Sequence, residues 1–473
     1  MLPNWLLHPE GYSILAACGP HQLARELEFD DGTKRGALSY LLFRSLAELQ
    51  DPNPRQQDLY HYLCSLFHSH CPRQDPVLYG NQDLQFFGPL AAAHHHNYDA
   101  TPVWLAKNTL LSDRIALQAG RAHGVCIGDL LLAYPTWQAG GAGMAAAAAA
   151  DNKELLLRVT EIGGLTAVAE VATSRAGQAV IDLGDGGWKA KWQTKLSLRR
   201  YPILVSGSHA LLGRWRAEAA SQNSLNIRYD DDDGVDDAFQ FHVVLDDLGH
   251  WEIRDGLREA VAQGTTETAS SAAAAASGDG IGDILDALEH LVWFKHVISI
   301  NNESPSIHFQ KSLSITLTTP LGKTLDPGAG LIEVRDGDRV VLGVENLGSG
   351  PLYLHVYNMD SSWQVNNILK GTYEAIPARD PDGNHLGATT RVMNMTMPAE
   401  ATSKGKKRFC DDIVKVFVTA RPTSFACLEM PKLGAAVKAD AQAGIPAGVA
   451  QGSGMAEGSA WTVVNFRFRI NAR

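Results

Sequence analysis

The feature that most constrains the fold is a mostly apolar run near the start of the chain that ends in a cysteine. Residues 12–17 are β-prone, Cys18 follows, and a polar segment then leads to a leucine-rich stretch beginning at 36. The leucines recur at helical spacing and do so again after the turn at 51–54. A short β-prone run at 76–80 closes the series. This order of strand, helix, helix and strand predicts an α/β unit whose first strand presents Cys18 at its carboxyl end.

A cysteine in this position has two interpretations. Buried cysteine commonly fills space in a core and does no chemistry. As a nucleophile it acts as the thiolate, and because a free thiol has a pKa of about 8.5, a neighbouring imidazole must accept its proton. The only histidine upstream of Cys18 is His8, which precedes a proline and is predicted to be a turn residue rather than the general base.

Three short motifs around Cys18 together resemble the caspase-domain, metacaspase-like cysteine peptidases of the caspase clan. They are, in order, Ala16–Ala17–Cys18, Ala24–Arg25–Glu26 and Gly36–Ala37–Leu38–Ser39–Tyr40–Leu41–Leu42. The resemblance covers about the first fifth of the chain and implies the second half of a caspase-like catalytic domain over residues 1–92. In this clan the catalytic histidine lies roughly 50 residues upstream of the cysteine. We therefore expect the sequence to begin inside the catalytic domain and to lack the segment that carries the histidine.

The resemblance also implies roles for individual residues. Cys18 is the implied nucleophile, and the backbone N–H groups of Cys18 and Gly19 are the implied donors to the oxyanion. The residue two before the cysteine lines the pocket for the substrate's P1 side chain, and Ala16 brings neither an amide nor a charge to it. Glu26 and Glu28 are further pocket candidates, with solvated loop residues as the alternative. The implied reaction is hydrolysis of a protein or peptide substrate through an acyl-enzyme, without a cofactor or a metal.

The remainder of the chain is predicted to be mainly β. Short β-prone segments indicate a β-rich middle domain over 98–258, with an alanine-rich insertion at 139–150. Residues 263–282 have the composition of a linker. From 283 to 473, apolar and polar residues alternate repeatedly, as in 464–470, which predicts an antiparallel sandwich with one wet and one buried face. In 352–357 the same alternation assigns Tyr353, His355 and Tyr357 to the wet face. The expected fold is a partial caspase-like α/β unit followed by mainly-β domains.

Charge and cysteine usage limit the partners. The chain has 41 Lys and Arg against 52 Asp and Glu, for a net charge of −11, so we expect no nucleic-acid or membrane partner. The sequence shows no signal-peptide pattern and no apolar run near twenty residues. Its six scattered cysteines form no C-x-x-C pair. These features predict a cytoplasmic protein with reduced thiols, and the basic cluster at 404–408 is a candidate nuclear address.

Other motifs match known sites less well. The consecutive histidines 94–96 converge poorly on a metal, and the acidic run 230–233 lacks the first and twelfth acids of a calcium loop. His123 and Cys126 lie close in sequence without an evident orienting partner. The main alternative to the peptidase is a non-catalytic pseudo-peptidase or scaffold whose β domains bind a protein partner.

Overall fold

The computed structural model describes most of the chain outside its low-complexity segments. The residues described are 12–19, 22–28, 32–48, 56–71, 74, 76–80, 84–87, 103–106, 114–135, 155–174, 188–232, 238–245, 251–256, 258–261, 280–325, 327–328, 330–369, 373–379, 387–398, 408–434 and 460–472. Of the described residues, strands hold 43% and helices 22%, so this part of the chain is mostly β-sheet, distributed over several sheets. No described helix has both the length and the apolar character needed to cross a membrane.

The first unit combines short strands with two helices. Its elements are β1 (Ser13–Ala16), β2 (Glu26–Glu28), β3 (Lys34–Gly36), α1 (Ala37–Glu48), α2 (Gln56–His70) and β4 (Val77–Gly80). β1 and β4 pair antiparallel, with Ala16 opposite Val77, while β2 and β3 form a separate hairpin. Leu41, Leu63 and Phe67 are buried between the helices, because apolar residues repeat on one face of each. Both predicted helices are present, and the hairpin within the polar segment is an addition that the sequence did not indicate.

The second unit is a closed six-stranded barrel. Its strands are β5 (Val103–Ala106), β6 (Arg114–Leu117), β7 (Leu130–Pro135), β8 (Leu155–Ile162), β9 (Ala167–Ser174) and β10 (Trp188–Thr194). They close in the order β10-β5-β6-β9-β8-β7, and all pairs are antiparallel. Side chains such as Leu117, Leu131 and Leu157 fill the interior, so the barrel encloses a packed core.

A mixed sheet with a helical crossover follows the barrel. It contains β11 (Pro202–Val205), α3 (His209–Ala219), β12 (Asn226–Tyr229), β13 (Phe241–Leu245) and β14 (Trp251–Asp255) in the strand order β12-β11-β13-β14. β11 is parallel to both of its neighbours. The segment 98–258 thus holds two unlike sheets, and the helical crossover was not predicted. Parallel strands buried on both faces appear in a sequence only as short apolar runs, and such runs do not reveal the strand direction.

The last part of the chain forms two packed sheets. The four-stranded sheet contains β15 (Leu313–Thr318), β16 (Thr324–Leu325), β18 (Arg339–Asn346) and β22 (Ala388–Asn394). The six-stranded sheet contains β17 (Leu331–Arg335), β19 (Leu352–Met359), β20 (Val365–Asn367), β21 (Glu374–Ile376), β23 (Phe409–Thr419) and β24 (Trp461–Asn471). Apolar side chains of both sheets form one buried cluster, which makes this region a sandwich. One pair departs from the antiparallel prediction, because β17 runs parallel to β24.

The prediction of one wet face is wrong for β19. Its residues are buried on both faces, including Tyr353, His355 and Tyr357, which were assigned to the solvent side. Two other parts of the chain cover this face. Tyr357 belongs to a core shared with the mixed sheet and with helix α4 (Ile281–Ser299), while Tyr353 packs against the first unit.

A buried lysine ties α4 to the sandwich. Lys415 on β23 is fully buried, and its Nζ donates to Ile298 O at 3.0 Å, Ile300 O at 2.7 Å and Asn465 Oδ1 at 3.1 Å. Two of these acceptors are carbonyls at the C-terminus of α4, where the last carbonyls of a helix have no partner within it. Lys415 therefore fixes the end of α4 against the six-stranded sheet.

Candidate cysteine site

Cys18 lies two residues beyond the end of β1, with its side chain half-buried. Its Sγ–H donates to the backbone oxygen of Gln22 at 3.3 Å. Partial burial raises the pKa of Cys18 above its ordinary value. The group is therefore a neutral thiol near pH 7, and nucleophilic chemistry at this position requires a base to remove the proton.

The turn after Cys18 is closed by Gln22. The backbone N–H of Gln22 donates to Gly19 O at 3.0 Å, and the N–H of Gly19 donates to Gln22 Oε1 at 3.2 Å. Gln22 therefore engages both the thiol and one of the two amides implied as oxyanion donors. A substrate carbonyl that used the Gly19 amide would have to displace the side-chain oxygen of Gln22.

Gln74, a buried glutamine between α2 and β4, holds the two ends of the cysteine loop together. It is 1% exposed, and its Nε2 donates to Ala17 O at 2.8 Å while its Oε1 accepts from Arg25 N at 2.7 Å. The Cys71 thiol also points at Oε1, at 3.8 Å. Because Ala17 directly precedes Cys18, this one amide group ties the residue before the thiol to Arg25. The sequence does not mark Gln74, because its role depends on contacts between residues about 50 positions apart.

The three pocket candidates lie on different surfaces. Ala16 packs against a cluster that includes Val77, Tyr353 and Tyr373, so it faces the sandwich. Glu26 and Glu28 lie on the β2–β3 hairpin with exposed side chains, and Glu28 forms an ion pair with Lys34 at 3.7 Å. The hairpin connects to the cysteine loop through Arg25, whose carbonyl accepts from Ala37 N at 2.9 Å.

The structure separates the other Cys/His pair. His123 is buried and stacks on Phe425 at 4.6 Å; its Nδ1 accepts from Gly120 N at 3.1 Å, so its Nε2–H donates to Thr423 Oγ1 at 3.3 Å. Burial lowers the pKa of His123 to about 3. The backbone N–H of Cys126 instead donates to the carboxylate of Asp129 at 2.9 Å. The two residues take part in separate networks, both of which join the barrel to its neighbours.

The histidine and acidic motifs of the sequence do not form a metal site in the described part of the chain. His8 and His94–His95–His96 lie outside the described residues. In the acidic run, Asp231 and Asp232 both pair with Arg216, and His209 also contacts Asp231. In the described part of the chain, no group of three or more His, Cys, Asp or Glu is placed to hold a metal ion.

Comparison with protein-family models and with curated proteins gives no match for this chain.

Proposed function

We propose that this chain is a caspase-like cysteine endopeptidase, with the second half of the catalytic unit at its start and β-rich units after it. One observation carries the proposal: Cys18 stands half-buried just beyond a strand, on a loop whose two ends are bound by the buried amide of Gln74. A nucleophile must be held rigidly and still admit a substrate, and this arrangement provides both conditions.

The proposed reaction has two chemical steps. The Cys18 thiolate attacks the scissile carbonyl and forms a C–S bond, while the amides of Cys18 and Gly19 donate to the oxyanion. The C–N bond then breaks and the amine leaves with a proton, giving a thioester. Water hydrolyses the thioester to a carboxylic acid and restores the thiol. Because burial raises the pKa of Cys18, the step needs an imidazole base. The labelling and cleavage assays of this proposal therefore include imidazole in the buffer to supply that base.

Labelling with a peptidyl acyloxymethyl ketone tests this proposal, since such a probe alkylates a cysteine only after binding as a substrate. We expect saturable labelling of the folded chain that unlabelled peptide competes away and that Cys18→Ala abolishes. Cys126→Ala is the matched control, because Cys126 is also half-buried and has a raised pKa. Labelling that survives Cys18→Ala, or a folded chain that takes up no probe, contradicts the peptidase.

A non-catalytic scaffold is the second candidate, and one observation favours it. The Cys18 thiol and the Gly19 amide are both engaged by Gln22, which is the arrangement of a site at rest. Under this proposal the first unit is a docking surface and the β-rich units bind a protein partner. Both candidates fit a cytoplasmic location, because thiols remain reduced there and none of the six cysteines, all of which lie in the described residues, forms a disulfide.

A further inference from the structure

We infer that the sandwich is a built-in support of the cysteine site, and that Tyr373 is the positioning residue through which it holds the Cys18–Gly19 turn. The catalytic part of this inference rests on the proposed function. The effect of Tyr373 on the reactivity of the Cys18 thiol does not depend on that function and can be measured without a substrate.

The support begins as an apolar contact between the first unit and the six-stranded sheet. Val77 on β4 is 1% exposed, and it shares a buried cluster with Tyr353 and Tyr373. Ala16 on β1 and Ala375 on β21 pack against the same cluster. The strand that delivers Cys18 therefore packs against the sandwich at the partly buried Ala16, two residues before the thiol.

Tyr373 is held rigidly within the sandwich. Its ring meets Tyr353 edge to face, with centroids 5.0 Å apart and planes at 84°, and lies 6.2 Å from the ring of His355. The residues that follow it pair with β19, where Ala375 is opposite Tyr353. Edge-to-face packing and strand pairing together leave this ring little freedom.

The rigid ring reaches the turn that carries the thiol. Tyr373 Oη lies 3.8 Å from the position that a Cβ on Gly19 would occupy, which is ordinary van der Waals distance. Gly19 is also the residue whose amide and carbonyl form the turn with Gln22. A sandwich residue thus limits how far the backbone directly after Cys18 can move.

Charge contacts extend the same interface. Glu374 is fixed by Arg391 Nε at 2.7 Å and by the hydroxyl of Thr389, both on β22. Burial raises the pKa of Tyr79 on β4, and the charge of Glu374 raises it further. The carboxylate of Glu374, which β22 holds in place, is therefore near enough to β4 for its charge to act on Tyr79, on the same side of the first unit as the apolar contacts of Val77 and Ala16.

The test is the rate at which iodoacetamide alkylates Cys18 in the folded full-length chain, followed by mass spectrometry from pH 6 to 9.5. We expect Tyr373→Ala to raise the rate about five-fold or more and to lower the apparent pKa of the thiol, because the turn opens and the thiol loses burial. We expect Tyr373→Phe to raise the rate less than Tyr373→Ala does, since it removes the hydroxyl that approaches the turn but keeps the ring packed on Tyr353 and Val77.

Tyr357→Ala is the matched control. It removes a buried tyrosine from the same strand as Tyr353, but Tyr357 packs on Phe417, in the core shared with α4. We expect it to leave the alkylation of Cys18 unchanged. Val77→Ala trims the interface from the opposite side and gives a second variant, with the same direction of effect as Tyr373→Ala, should the latter fail to fold.

The outcomes separate this inference from the proposed function. Equal rates in Tyr373→Ala and wild type, or an equal increase in Tyr357→Ala, overturn the support. If the alkylation pattern is as expected but the wild type takes up no peptidyl ketone, the support stands and the peptidase fails. If the ketone labels Cys18 but Tyr373→Ala alkylates like wild type, the peptidase stands and the support fails.

Discussion

Replacing Gln74 with leucine isolates the contact that fixes the cysteine loop. The change introduces an apolar side chain of similar size and removes the donor to Ala17 O and the acceptor for Arg25 N. A buried polar group that loses its partner costs about 1–3 kcal/mol. Arg25 is exposed and Ala17 half-buried, so water replaces part of what is lost. The expected loss of local stability in the loop is therefore about 2 kcal/mol, at the lower end of the sum for two groups.

Trypsin cleavage after Arg25 measures this local stability, because a protease needs an opened segment to cut. A loss of about 2 kcal/mol raises the population of the opened loop about 30-fold. We expect the rate of cleavage at the Arg25–Glu26 bond, followed by mass spectrometry under native conditions, to rise by that factor. Gln310→Leu, at an exposed glutamine of helix α5 (Ile307–Lys311), is the control and should leave the rate unchanged.

In the Gln74→Glu variant, the local stability of the cysteine loop should depend on pH. One carboxylate oxygen still accepts from Arg25 N. The other stands in place of the Gln74 Nε2 donor, and as an ionised oxygen it cannot donate to Ala17 O and is repelled by it. The protonated carboxyl restores that donor, so the folded loop favours the protonated form and the pKa of the new group rises. The stability of the loop is then present at low pH and is lost as pH rises above about 4.3. A Gln74→Leu cleavage rate within about three-fold of wild type, or a Gln74→Glu variant without pH dependence, would refute the reasoning.

Three further changes test other parts of the structure. Gln22→Ala removes the competitor for the Gly19 amide, worth about 1 kcal/mol, so labelling by the peptidyl ketone should become about five-fold faster; an unchanged rate contradicts this role. Lys415→Met leaves the terminal carbonyls of α4 unpaired and should lower the free energy of unfolding in urea by about 2–4 kcal/mol, whereas a loss below about 1 kcal/mol argues against the contact. Burial lowers the pKa of His296 to about 4, so below about pH 6.5 the unfolded chain takes up a proton that the folded chain does not bind, and the free energy of unfolding decreases as the pH is lowered. Between pH 7 and pH 5 the free energy of unfolding in urea titrations should decrease by about 2 kcal/mol more for wild type than for His296→Gln, and equal decreases would contradict this role of His296.

The sequence predicted those elements whose residues alternate or repeat regularly. In β24, Phe466, Phe468 and Ile470 were assigned to the buried face and are buried, while Arg467 between them is exposed. This succeeds because one face of β24 lies on the sandwich core. The same alternation in β19 led to a wrong prediction of one exposed face. Other units cover that face and bury it, and the sequence of β19 alternates just as that of β24 does.

The candidate site was predictable only in part. A cysteine that follows a β-prone run marks Cys18 directly in the sequence. Gln74 and Tyr373 carry no such mark, because each acts only when a distant segment is folded against it. Glutamine and tyrosine are also common in turns and at strand ends, so neither stands out before the fold is known.

Peptide cleavage by the full-length chain tests the central claim most directly. A mixture of peptides that samples every residue at P1 is incubated with wild type, Cys18→Ala and Cys126→Ala, and new termini are identified by mass spectrometry. The proposal predicts cleavage products that wild type and Cys126→Ala share and that Cys18→Ala lacks. Products that are identical in all three proteins, or no products from correctly folded wild type, would contradict the assignment of Cys18 as the nucleophile of a peptidase.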